Sequence, residues 1–161
     1  MAGKSDFFEN TIVDVFLRGQ GATIGGKALA WSAGAPALYV GLGTAEADTG
    51  LTELGATGAY ARAKIPTGSA MTLSDGMSGT LNASQTIASS GTGGASSNLG
   101  VVTFPTATAD WNSAATIGFF GIFDAASGGN CLYTGTITTP RAVTNGTTAS
   151  FAAGTLTVTE G

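Results

Sequence analysis

The sequence predicts a mainly β protein: a jelly-roll-like or Ig-like antiparallel β-sandwich preceded by one N-terminal α-helix. Three observations predict it. Glycine occurs 26 times, often in pairs, and punctuates the chain at short intervals. Thr and Val are frequent while helix-favouring Glu and Lys are scarce, which favours strands. About eight short apolar or alternating runs lie between these glycine-rich turns, the signature of a sandwich or jelly roll. With 161 residues and no long linker or internal repeat, positions 1–161 read as one domain. Residues 1–19 would form a helical arm and 20–161 the sandwich.

The helix comes first. Ser5 or Asp6 can cap it, and Asp6 with Glu9 has capping-box spacing. Phe8, Ile12, Val15 and Phe16 recur at i, i+4, i+7 and i+8 and make one apolar stripe, with Arg18 and Gly19 at the C-terminal end. These four residues are the candidate interface. Core is the commoner fate of such a stripe, subunit contact the alternative.

Strand signals follow. ALYVGLG (37–43) reads as a strand buried on both faces, and TAEADTGLTELGATG (44–58) as a polar acidic loop. AYARAKI (59–65) alternates, with Tyr60, Arg62 and Lys64 on one face and Ala59, Ala61, Ala63 and Ile65 on the other. Short strands are expected around 70–73 and 80–88, and a flexible Ser/Gly loop at 89–97. GVVTFP (100–105) reads as a strand stopped by Pro105. ATIGFFGIFD (115–124) and NCLYTGTIT (130–138) flank A-A-S-G-G as a hairpin, with Asp124 and Asn130 placed to bond the turn backbone. N-G at 145–146 marks a tight turn, and ASFAAGTLTVTE (149–160) supplies the last strand or pair, with Leu156 and Val158 on one face.

Charge narrows the function. Charged residues are only 10% of the chain, with net charge −4 and a sequence pI near 4.4. Nucleic-acid binding needs clustered Lys and Arg, and none exists. So sparse a charge suits a subunit that covers its surface with other subunits, a homodimer or homotrimer, as well as a Ser/Thr-coated monomer. The chain contains no histidine, which removes Ser-His-Asp and Cys-His chemistry, and no S-x-x-K occurs. Ser127 and Cys131 therefore read as hairpin residues, and the lone Cys131 as a small buried hydrophobe. Asp110 beside Trp111 could serve a sugar-cleaving carboxylate pair, but no second acid is suggestively placed, so Asp110 reads as a turn residue and Trp111 as strand-end packing. One Cys without His cannot fill a zinc site. Glu46, Asp48 and Glu53 lack the pattern of a calcium loop and read as a solvated acidic loop. No phosphate loop, signal peptide or membrane span is present, so the expectation is a non-enzymatic protein without metal or cofactor, made in a host cytoplasm.

Three blocks together carry a resemblance. K-S-D-F-F-E-N continues as D-V-F-L-R-G from Lys4 to Gly19. L-Y-V-G-L-G-T-A is followed, after the acidic segment, by G-A-Y-A-R. F-P-T-A-T-A-D-W precedes G-I-F-D-A-A-S-G-G-N-C-L-Y-T-G-T-I-T-T-P-R and a closing F-A-A-G-T-L-T-V-T. The chain resembles a family of small tailed-bacteriophage virion structural proteins, often labelled tail fibre or phage structural protein, with a longer Ser/Gly-rich segment at 68–98 than that family leads one to expect. The resemblance implies a virion component. Small size and the lack of a long repetitive shaft favour a capsid cement or decoration protein that clamps the major capsid protein. The alternative is a tail fibre or tail-associated receptor-binding module.

Overall fold

The computed structural model describes residues 5–17, 22–29, 38–65 and 95–159. The fold is mainly β, with multiple antiparallel sheets and one N-terminal helix. The expected strands at 70–73 and 80–88, the first part of the 89–97 loop and the expected helix end at Arg18–Gly19 lie outside the described residues. Contacts group the chain into two compact units: Met1–Ala37, Ile65–Val101 and Ala152–Gly161 in one, Leu38–Lys64 and Val102–Phe151 in the other.

In the first unit, α1 spans Asp6–Ile12 and continues as a π-helical turn, Val13–Leu17. Its start differs from the expected capping box. The Ser5 carbonyl accepts the N–H groups of Phe8 (2.8 Å) and Glu9 (3.0 Å), and the Ser5 side chain makes no capping hydrogen bond. The π turn also re-phases the expected stripe, because each wider turn rotates later side chains relative to a 3.6-residue period. Val13, Val15 and Leu17 are buried, while Phe16 is exposed. β1 (Ala22–Ile24) and β2 (Lys27–Leu29) form a hairpin across Gly25–Gly26. β6 (Ala95–Ser97) pairs with β11 (Thr157–Thr159), so the end of the expected flexible loop is a strand. Asn98 holds that pairing from a fully buried position. Its amide donates to the carbonyls of Gly100 (2.7 Å) and Ala152 (2.8 Å), and its oxygen accepts the Leu156 N–H at 2.8 Å. Every polar atom of that side chain is satisfied, which is the condition for burying it. Leu156 and Val158 are buried, as the alternation predicts.

The second unit is sandwich-like. β3 (Leu38–Ala47), β4 (Gly50–Glu53), β5 (Ala63–Ile65), β8 (Ile117–Phe123) and β9 (Cys131–Arg141) form a sheet in the order β4-β3-β8-β9, with β5 also on β3. β7 (Val102–Thr106) and β10 (Thr148–Phe151) pair as a second layer. One face of β3 and β8 presents Val40, Leu42, Phe120 and Ile122, all buried. There Phe120 meets Phe151 edge-on at 5.8 Å, Phe151 meets Phe104 at 6.2 Å, Phe104 meets Trp111 at 6.3 Å, and Trp111 meets Tyr60 at 5.2 Å. This aromatic run ties the layers together.

Three strand expectations change. The segment 44–58 is not one loop: β3 runs on past the core, turns at Asp48–Thr49 and returns as β4. Only Ala63–Ile65 of AYARAKI is a strand, and Ala59 has φ +63, which breaks the alternation before it starts. Pro105 does not stop β7. It lies where Phe104 and Pro105 face the single residue Ala149, a bulge that asks no ladder bond of the missing N–H. The hairpin at 115–138 and the turn at Asn145–Gly146 stand as read. Thr147 N donates to Thr144 O at 3.0 Å across that turn.

Candidate functional site

A polar assembly in the second unit is built on glycines. Gly41 and Gly43 lie on the same face of β3, and Gly41 pairs with Gly121 of β8. A Cβ at Gly41 would come within 2.8 Å of both Glu53 Oε1 and Phe123 Cε2; one at Gly121 would sit 3.2 Å from Leu51 Cδ2 and from Cys131 Sγ. The missing side chains form a trough. Because β3 bulges between Gly43 and Ala45, β4 coils across that trough, and Gly50 approaches Cys131 of β9.

Glu53, Tyr60 and Arg62 meet over it. Arg62 Nε and Nη2 donate to the two oxygens of Glu53 at 2.9 and 2.7 Å. Arg62 Nη1 donates to the carbonyls of Ala125 (2.7 Å) and Gly128 (2.8 Å), and its Cζ lies 3.4 Å from the centroid of the Phe123 ring. The Tyr60 hydroxyl donates to Glu53 Oε1 at 2.9 Å and accepts the Leu42 N–H at 2.8 Å. Side-chain exposure is only 7% for Arg62 and 22% for Glu53. Burial pushes the Tyr60 phenol well above its ordinary value, and the Glu53 hydrogen bond raises the Arg62 guanidinium further.

This clamp presents the hairpin loop at 124–130. The Asp124 carboxylate accepts both the backbone and side-chain N–H of Asn130, each at 2.7 Å, and these bonds hold its carboxyl below the usual range. Ser127 is an exposed residue of this loop, and Cys131 opens β9 with its thiol pushed up by burial. The arrangement orders the loop, and the Cys131 thiol is held in its protonated form by burial.

The other sequence candidates separate. Asp110 Oδ1 accepts the Asn145 N–H at 2.8 Å, while Trp111 is buried and donates from its indole nitrogen to Gly58 O at 2.8 Å: turn and packing roles, as read. After Trp111 the backbone runs left-handed through Asn112, Ser113 and Ala114. Glu53 turns inward to Arg62 and away from Glu46 and Asp48, and among the described residues no three His, Cys, Asp or Glu side chains are grouped to hold a metal. Of the four helix residues, Val15 is buried and Ile12 half-buried, whereas Phe8 and Phe16 are each 44% exposed; their neighbour Phe7, outside the stripe, is 62% exposed. Among the described residues no helix is long and apolar enough to cross a membrane.

Except for Glu53, which lies in the acidic segment between them, the residues of the clamp fall in the sequence blocks: Gly41 in L-Y-V-G-L-G, Tyr60 and Arg62 in G-A-Y-A-R, Gly121 to Asn130 in G-I-F-D-A-A-S-G-G-N. Residues 3–159 match the family described as Podophage GP4 fiber I protein gp80. The chain belongs to this family. It is therefore a bacteriophage virion structural protein. No curated protein matches it. Sequence reasoning placed Tyr60 and Arg62 on a strand face but missed Glu53 as their partner. The signal available was one acid and one arginine flanking a tyrosine within ten residues in a chain otherwise poor in charge.

Proposed function

We propose that this protein is a non-catalytic building block of the phage fibre, assembled through copies of itself as a dimer or trimer. The observation that carries the reading is the family match over 3–159, since that family is described as a fibre protein. This reverses the lean towards a capsid cement drawn from small size and the lack of a shaft. Exposed Phe7, Phe8 and Phe16 on the helical arm support a subunit contact there, and the clamped hairpin supports a rigid module. The engagement of Asp110 in a turn supports a role without catalysis.

The test is immunogold labelling of intact virions, paired with co-sedimentation of purified protein with tails and with empty expanded capsids of the same phage. The fibre reading expects label at the tail and binding to tails alone. Saturable binding to capsids at a fixed ratio to the major capsid protein would overturn it and restore the cement role. The helix contact is tested by Phe8→Ser and Ile12→Ser. It requires weakened self-association by light scattering with an unchanged melting temperature of the free subunit. An equal loss of both returns the stripe to the core.

A further inference from the structure

The open end of the second unit carries a cavity that the assembly role does not use. Its volume is about 360 Å³, within the range of small-ligand sites. Buried Leu42, Phe104, Ile117 and Val143, with half-buried Phe151, make an apolar floor. Two sheet irregularities open it. In the β8–β9 ladder, Phe119 pairs with Thr136 and Ile117 with Arg141, so Gly118 alone faces Ile137, Thr138, Thr139 and Pro140. The extra residues push β9 out of the ladder and aim Ile137, Thr139 and Arg141 at the cavity. On the opposite wall, the β7–β10 bulge brings Phe104 and Ala149 to the same space. Two bulges, each containing a proline that has no ladder bond to give, border one cavity. Bulges recur beside binding sites because they re-aim side chains.

The rim is polar and available. Arg141 is exposed, and its side chain has no hydrogen bond or ion pair to any described residue. The hydroxyls of Thr139 and Ser150 are likewise without described partners, whereas Thr147 is bonded to Thr144 O (2.6 Å) and Thr148 to Thr106 (2.8 Å). This is one guanidinium fork and two free hydroxyls around an apolar, partly aromatic floor. A guanidinium matches a carboxylate bidentately. Free hydroxyls match a polyol. The floor matches the C–H face of a sugar ring. A lone cation is a poor match for a phosphate dianion, and a fatty acid would leave both hydroxyls unused.

We infer that this cavity binds an acidic saccharide, its carboxylate on Arg141, its hydroxyls on Thr139 and Ser150, and its apolar face on Phe104 and Phe151. The inference does not depend on where in the virion the protein sits.

The experiment is an NMR titration of the ¹⁵N-labelled full chain at physiological salt. The probes are a galacturonate trimer, a sialic acid trimer, neutral maltotriose and hexanoate. At least one acidic trimer should saturate the protein, with shifts confined to residues 137–150 and neighbouring floor residues, and bind at least about tenfold tighter than maltotriose. Arg141→Gln should weaken it about tenfold and Ser150→Ala about threefold. Both side chains are exposed, so the variants should melt as the parent does. Val143→Trp, which fills the cavity, should abolish binding even where Arg141 is intact. Saturation by hexanoate and not by the trimers would overturn the saccharide assignment. Equal binding of maltotriose, unchanged affinity in Arg141→Gln, or no binding by either acidic trimer up to its solubility would overturn the site.

Discussion

Removing Arg62 tests whether the clamp holds the second unit together. The guanidinium makes four hydrogen bonds, two to a carboxylate and two to loop carbonyls, with its side chain only 7% exposed. Arg62→Ala leaves Glu53 without its counter-charge, strips the Ala125 and Gly128 carbonyls of a donor, and uncovers the Phe123 ring. Breaking a nearly buried pair by deleting one partner costs about 3–5 kcal/mol. For a protein of this size that lowers the melting temperature by on the order of 10 °C. Arg62→Lys keeps the charge but cannot fork onto Glu53 while also reaching both carbonyls, so it should cost about 2 kcal/mol. Glu53→Ala alone strands the arginine. The double variant Glu53→Ala with Arg62→Ala should cost less than the sum of the single variants by about 2 kcal/mol. Urea unfolding followed by fluorescence gives all four free energies. A cost below about 1 kcal/mol for Arg62→Ala, or additive single costs, would refute the clamp as a stabilising unit and leave it a surface ion pair.

Four further outcomes follow from the geometry. Gly129→Ala should destabilise by more than 2 kcal/mol and Gly128→Ala by only about 1 kcal/mol; both have positive φ, but a Cβ at Gly129 strikes Asp124 Oδ1 whereas one at Gly128 meets open space, and equal unfolding midpoints would contradict the loop conformation. The folded state holds Tyr60 neutral above the unfolded value near pH 10, so its contribution is complete below that pH and lost as pH rises through the folded value; Tyr60→Phe should flatten the decline in stability between about pH 10 and 11. The lowered Asp124 carboxyl contributes above its unfolded value and loses that contribution as pH falls through the folded one, so Asp124→Asn should be less acid-sensitive than the parent between about pH 5 and 3 in urea titrations. Ser113→Gly should raise stability by about 1 kcal/mol because Ser113 is held at φ +51, and a lower melting temperature would show that the backbone there is not left-handed.

The parts of the fold legible in the sequence are those where local pattern and tertiary packing agree. Two apolar runs around A-A-S-G-G define the β8–β9 hairpin, and Leu156 and Val158 alternate towards a core. The misread parts are those where a distant partner reverses a local rule. Tyr60, Arg62 and Lys64 read as one strand face, yet Glu53 on β4 draws Arg62 in while Lys64 is exposed, and on the other face Ala61 is exposed while Ala63 is buried. Thr44 to Ala47 reads as the start of a polar acidic loop, yet its backbone pairs with β4. Pro105 reads as a terminator because nothing local reveals a bulge opposite Ala149. The clamp was half-legible: its residue types stand out in a chain with so few charges, but the pairing requires the register of β3 with β4. The cavity was not legible at all, since it depends on where two ladders slip.

The two assemblies share one strand. β9 begins at Cys131, packed against Gly50 and Gly121 beneath the clamp, and ends at Arg141 on the rim of the cavity. Its first half follows β8 from Phe123 to Phe119 with one extra residue, Leu132, while its second half is released by the four-residue bulge opposite Gly118. A strand that is clamped at one end and bulges widely at the other can present side chains without losing its place in the sheet. This explains why a protein with only six basic residues commits one of them, Arg62, to a nearly buried bond with a neighbouring strand, where it adds nothing to solubility. Its return is positional: the hairpin at 124–130 and the strand that leaves it are set by hydrogen bonds to backbone carbonyls, which a hydrophobic replacement of similar volume would not supply. Arg141, the other arginine of this unit, is left free at the far end of that same strand, and rigidity at the first arginine is what gives the second a defined place from which to act.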